Sequence, residues 1–145
     1  MSTVSHIHTG QCHCGAIKVT LTFTRPAEEM QVRACQCTFC TRQASLTVSD
    51  PKGSATFEIE AGGLSPYRFA TRTATSLVCA RCGTYAGVVI IDGEQAWSVA
   101  NARGLAIAEF KERVGVQTFY EDETPDERIA RRKEKWTPTE LKFTL

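Results

Sequence analysis

A chain of 145 residues with 42% hydrophobic and 23% charged residues has the size and composition of one globular domain around one core. Its 17 basic and 16 acidic residues leave a net charge of +1, which provides no global field for nucleic acid or an anionic membrane. No apolar run approaches the ~20 residues of a membrane span, and the opening MSTVSHIHTG lacks a signal peptide's apolar core, so a cytoplasmic protein is expected.

The first clear element is 16–24, AIKVTLTFT. Ile17, Val19, Leu21 and Phe23 alternate with Lys18, Thr20, Thr22 and Thr24, the period of a half-buried strand, and Arg25-Pro26 ends it. Further strands are expected at 44–49, 55–60, 66–71, 75–79, 84–91 and 95–100, with turns at Asp50-Pro51-Lys52-Gly53, Gly62-Gly63 and Asp92-Gly93. Residues 102–110, ARGLAIAEF, fit a loop or a short helix. One helix is well marked: Thr124 as N-cap, Pro125 in its first turn, Glu127 completing a capping box, and a stop near Trp136 ahead of Pro138. Its Arg128, Arg131, Arg132, Lys133 and Lys135 interleave with Asp126, Glu127 and Glu134, which reads as a solvated face rather than a nucleic-acid patch. The closing ELKFTL alternates Leu141, Phe143 and Leu145 as a last strand. The expectation is a single mainly β domain over 1–145, small enough for metal to help hold its loops.

Seven cysteines carry the chemistry. An odd number cannot all pair, and without a secretion signal a disulfide framework is not expected. They fall into Cys12-x-Cys14, Cys35-x-Cys37-x-x-Cys40 and Cys79-x-x-Cys82. Thiolates this close can grip one ion from a single turn. Gly15 and Gly83 follow the outer pairs, where a metal-wrapping turn needs positive φ. Those two turns together make a four-thiolate zinc site. Cys35, Cys37 and Cys40 remain, the ligand count of a catalytic zinc with an exchangeable fourth position. Spacing alone leaves other readings open. All could be buried, reduced cysteines packed as small apolar residues. A histidine could close the second site, although His13 is expected to point away and His6 and His8 to lie on a mobile N-terminus. The triplet could join Cys12 and Cys14, leaving Cys79 and Cys82 to redox work, or Cys37 and Cys40 could be a metal-free reactive pair.

The blocks GQCHCGAIKV (10–19), CQCTFCTRQ (35–43) and LVCARCGTY (77–85) resemble the glutathione-dependent formaldehyde-activating enzyme family, which includes centromere protein V-like proteins. YRFATRT and DERIARRKEKWTP look like a bacterial subgroup labelled aldehyde-activating proteins. The resemblance implies a mainly β, Mss4-like zinc-bound fold with a short C-terminal helix. It implies a structural zinc on Cys12, Cys14, Cys79 and Cys82, and a catalytic zinc on Cys35, Cys37 and Cys40. It also implies carbon–sulfur bond formation, in which glutathione and formaldehyde give S-(hydroxymethyl)glutathione, a reaction classed with the carbon–sulfur lyases. Two positions depart from the family pattern. Family members commonly read CHCSxCRR, whereas CQCTFCTRQ puts Thr41 at the first arginine, and Tyr85 follows CGT where many members have a bulky apolar residue.

A glutathione-like substrate is anionic and calls for arginines or backbone N–H groups. Arg42 is the nearest candidate in sequence, followed by Arg68, Arg72, Arg81 and Arg103; each also reads as an ordinary surface arginine. Tyr67, Tyr85 and Trp97 could line a pocket but sit in alternating strands, where such residues are more often core. No Ser-His-Asp set, phosphate loop or nucleotide fingerprint points to another chemistry. The expected function is zinc-dependent addition of a small thiol to a small aldehyde by a monomer or homodimer. The alternative is a non-catalytic zinc-stabilised binding module of the same fold.

Overall fold

The inward row of the first predicted strand is buried throughout: Ile17, Val19, Leu21 and Phe23 form one face of strand β2 (Ile17–Phe23). In the computed structural model, residues 5–144 are described; residues 1–4 of the leader reading and Leu145 of the closing strand lie outside them. Strand β1 (His6–Gln11) pairs antiparallel with β2, and β2 pairs antiparallel with β5 (Ser54–Glu60). Strand β3 (Arg33–Cys35) leads into a five-residue helix α1 (Thr38–Arg42) and then β4 (Thr47–Val48). Strands β6 (Leu64–Tyr67), β7 (Thr75–Cys79), β8 (Tyr85–Asp92) and β9 (Gln95–Asn101) follow as an antiparallel run. Strand β10 (Val116–Thr118), helix α2 (Pro125–Lys135) and strand β11 (Thr137–Thr144) complete the chain.

The architecture is mainly β, as expected, and the sheet is open. Its path runs β1-β2-β5-β11-β9-β4-β3-β10, with β8, β7 and β6 branching from β9. The pairs β5–β11 and β3–β10 are parallel. The principal core lies on β2 and β5, where Phe23, Phe57 and Ile59 pack with Phe110. Residues 102–110 form hydrogen-bonded turns rather than a helix, and they bury Leu105, Ile107 and Phe110 in that core. Among the described residues no helix is long and apolar enough to cross a membrane.

Several boundaries differ from the sequence expectation. His6 and His8 belong to a paired strand rather than a mobile terminus. His8 is buried edge-on to Phe23 and Phe110, with Nδ1 2.9 Å from Glu109 Oε1. Of the expected strand 44–49 only Thr47 and Val48 pair, because Ala44 turns the chain with a positive φ of 48°. The strand expected at 66–71 starts earlier and stops at Tyr67, ahead of left-handed Ala70 and Arg72. The capping box around Thr124 and Glu127 is present, and α2 gives way to Trp136 and an extended β11. Phe143 is 60% exposed, so the closing strand is not half-buried along its length.

One buried polar side chain ties these short elements together. Asn101 Nδ2 donates to the Tyr85 carbonyl at 2.8 Å, and its Oδ1 accepts the Leu46 N–H at 3.0 Å. Asn101→Ala would leave two buried backbone groups without partners, each worth about 1–3 kcal/mol. The variant is expected to lose on the order of 3 kcal/mol in denaturant unfolding; a loss under about 1 kcal/mol would show that water replaces the amide.

Candidate functional site

Cys12 and Cys14 lie in the turn from β1 to β2, while Cys79 ends β7 and Cys82 precedes β8. The two glycines adopt the conformation the turns demand, with φ of 86° at Gly15 and 79° at Gly83. Their N–H groups close the turns onto the Cys12 and Cys79 carbonyls at 3.0 and 2.9 Å. The four sulfurs all lie within 4.8 Å of one another. Two separations are 3.8 Å (Cys12–Cys14) and 3.5 Å (Cys14–Cys79), far beyond a disulfide bond. Sulfurs arranged tetrahedrally at about 2.3 Å from one ion stand roughly 3.8 Å apart, so this donor set fits zinc. Backbone N–H groups add support: Ile17 donates to Cys12 Sγ at 3.3 Å and Arg81 to Cys79 Sγ at 3.4 Å. Burial opposes ionisation of Cys82, but hydrogen bonds from the Thr84 side chain and backbone bring its thiol down to about 5.

Cys35 ends β3, Cys37 caps α1 and Cys40 lies within it. Their three sulfurs form a second group within 4.8 Å, and neither group contains a histidine among the described residues. The Cys40 N–H donates to Cys37 Sγ at 3.3 Å. Hydrogen bonds from the Cys35 and Cys40 thiols hold Cys37 far below the usual thiol range, whereas hydrogen bonds with Cys35 and then Cys37 push Cys40 far up. Three sulfurs this close must share protons or share a cation; the soft, all-sulfur set fits zinc here too, with one position left to a ligand.

The triplet opens on a cavity of about 120 Å³. Phe39, Phe69 and Tyr85 line it near the sulfurs; Phe39 meets Tyr85 edge-on at 5.0 Å. Tyr85 is buried in the core, as strand alternation suggested, yet its hydroxyl reaches Cys40. Burial first, then the charges of Cys40, Cys35 and Cys37, push that hydroxyl well up. Tyr67 is half-exposed against Phe69, and Trp97 lies under Lys133, away from this lining.

The arginines fall differently from their expected order. Arg42, expected at the substrate, is exposed, donates to the Thr38 carbonyl of its own helix at 2.8 Å and is absent from the cavity lining. Arg68 binds Thr75, and Arg81 pairs with Glu60. Arg103 lines a second, more open hollow that also touches Cys35 and Cys40. The lining instead contains Arg33 together with Arg128, Arg131 and Arg132. That face of α2 is therefore not simply solvated. Its signal was the spacing: 128, 131 and 132 share one helix face, and Trp136, four residues on, anchors it.

Fold and site together define an open-sheet β protein with one closed and one open cysteine cluster suited to zinc. The family model described as glutathione-dependent formaldehyde-activating enzyme matches residues 7–121, and the chain belongs to this family. It is also similar to the crystal structure of a Rhodobacter sphaeroides protein, at 25% identity and a TM-score of 0.53, over 77% of this chain and 99% of that one.

A zinc ion held by the four-sulfur group predicts a structural dependence, because closed thiolate sites contribute on the order of 10 kcal/mol to small modules. Cys12→Ser is expected to lose one zinc equivalent by elemental analysis, together with cooperative unfolding. A Cys12→Ser chain retaining both would count against this ligand set.

Proposed function

We propose that the chain adds a thiol, glutathione or a close relative, to formaldehyde or another small aldehyde, as a zinc-dependent carbon–sulfur lyase. The observation that carries this reading is the three-cysteine group facing a cavity while the other four cysteines converge elsewhere. Family membership supports the aldehyde and glutathione chemistry. In this reading Cys12, Cys14, Cys79 and Cys82 hold a structural zinc, and Cys35, Cys37 and Cys40 hold the ion that serves the reaction. That second ion, when bound, supplies a Lewis acid and lowers the pKa of a thiol at its open position.

The balance of the reaction is simple. The thiol sulfur forms a bond to the carbonyl carbon, the C=O π bond breaks, and the thiol proton ends on the former carbonyl oxygen. The chain's own residues prepare the place for it. Phe39, Phe69 and Tyr85 thin the water around the sulfurs, which strengthens every polar interaction there. The Tyr85 hydroxyl and the Cys40 N–H hold sulfurs of the triplet in place. A cytoplasmic setting suits both the thiol substrate and seven unpaired cysteines.

Exchange between free and hydroxymethylated glutathione, followed by NMR, tests the reading. The zinc-loaded chain is expected to exceed the buffer rate, and Cys40→Ser to return to it while keeping the four-cysteine zinc. If the wild-type protein matches buffer for this and related thiol–aldehyde pairs, the chain is the non-catalytic module.

A further inference from the structure

We propose that Arg33, Arg128 and Arg132 form a carboxylate subsite in the cavity of the cysteine triplet, so that the reacting thiol or the reacting aldehyde carries a carboxylate. Which atoms react rests on the thiol–aldehyde reading; the anion site does not.

The first argument is a charge census. Four guanidiniums line the cavity, against one lining carboxylate, the exposed Glu121. Arg131 is already satisfied, binding both oxygens of Glu123 from Nε at 2.8 and 3.1 Å and lying 3.6 Å over the Tyr120 ring. None of the other three has an ion-pair partner among the described residues. Their hydrogen bonds go to neutral groups: Arg33 to Ser49 Oγ, Arg128 to the Tyr120 carbonyl at 2.9 Å, Arg132 to Thr73 Oγ1 at 2.7 Å. Burial, then Arg131 and Arg128, push the Arg132 guanidinium down to about 10 against the opposing charge of Glu123, so it remains charged at neutral pH with no direct ion pair among the described residues. Half-buried like charges this close together favour a ligand of opposite sign.

The second argument is independent of charge. Among the described residues, four buried side-chain polar atoms lack a hydrogen-bond partner: His8 Nε2, Thr118 Oγ1, Arg128 Nε and Arg132 Nε. Three of the four belong to residues lining this one cavity. Buried polar groups are nearly always paired, so two guanidinium Nε donors and a hydroxyl left unpaired on residues lining one cavity favour an acceptor bound beside them. A carboxylate accepts at both oxygens and matches guanidinium geometry. The Trp136 ring, 5.1 Å from the Arg132 guanidinium, holds that group in advance. Arg128 and Arg132 lie on helix α2, after the residues 7–121 that the family model matches.

The test measures binding and needs no turnover. Calorimetric titration of the full, zinc-loaded chain compares glyoxylate with acetaldehyde, and mercaptoacetate with 2-mercaptoethanol, with zinc content checked afterwards. At least one acid is expected to bind about tenfold or more tighter than its neutral counterpart, the worth of one charge-assisted hydrogen bond. The pair showing the preference tells whether aldehyde or thiol carries the carboxylate. Arg128→Gln and Arg132→Gln are expected to reduce the preference to about twofold or less, and Arg132→Lys to retain part of it. Should Arg132→Gln fail to fold, Arg128→Gln and Arg132→Lys carry the comparison. Equal binding of acids and neutral counterparts, a preference unchanged in the variants, or inorganic phosphate binding more tightly than both acids would overturn the subsite. Acid preference without thiol–aldehyde exchange would uphold the subsite and sink the reaction; exchange without acid preference would do the reverse.

Discussion

The tightest constraint in this molecule is that sulfurs are held closer than free thiolates tolerate. Cys14 and Cys79 are 65 residues apart in sequence, yet their sulfurs stand 3.5 Å apart. Like charges at that range repel strongly in a partly buried setting, so the contact persists only if protons or a cation sit between them. The backbone is arranged for the second case. Two hairpin ends, β1–β2 and β7–β8, each turn through a left-handed glycine and aim N–H groups at sulfur. Cys12 and Cys79 also belong to the principal hydrophobic core. The four-sulfur group and the core are thus one structural unit.

The three-sulfur group rests on weaker elements. A five-residue helix cannot stand alone in water. It is held because Cys37 caps it and because β3, just before it, pairs with β4 and β10. Behind it, Asn101 ties the chain at Leu46 to the first residue of β8, Tyr85, whose ring covers the triplet. The position of the sulfurs is therefore set by long-range hydrogen bonds rather than by local propensity. That arrangement suits a site that must accept a ligand without collapsing onto it.

What was legible in the sequence follows from range. The alternation of 16–24, the capping box at Thr124 and the glycine-terminated cysteine pairs are local patterns, and each appears in the structure as read. Strands β3, β4 and β10 have two or three residues each, too few to show a period, and exist only through partners far away in the chain. β1 hid for another reason: its one buried side chain is a histidine, which a hydrophobic pattern does not count. The arginines were hard to place for a similar reason. Proximity in sequence favoured Arg42, but an i to i−4 bond keeps it on its own helix, while Arg33 and α2 reach the cavity through the fold. Charge along a helix tells how polar a face is, not what it faces.

Helix α2 shows how these parts divide. None of its own residues is buried, so hydrophobic burial within the helix does not hold it. It is fixed at its start by the capping box, at its end by Trp136 packed with Ile90 and Val99, and along its length by arginines bonded to Tyr120, Glu123 and Thr73. The same arginines line the cavity, and Arg128 and Arg132 each keep a buried Nε without a partner. A helix whose only role was to cover the sheet would be expected to bury leucine at such positions. Arginine there costs desolvation that leucine would not, and the cost is offset only when an anion arrives. The sulfurs themselves lie within the family-matched region. In the proposed reading, the helix adds charge to that cavity, and with it a means of choosing among thiols and aldehydes that the sulfurs alone would treat alike.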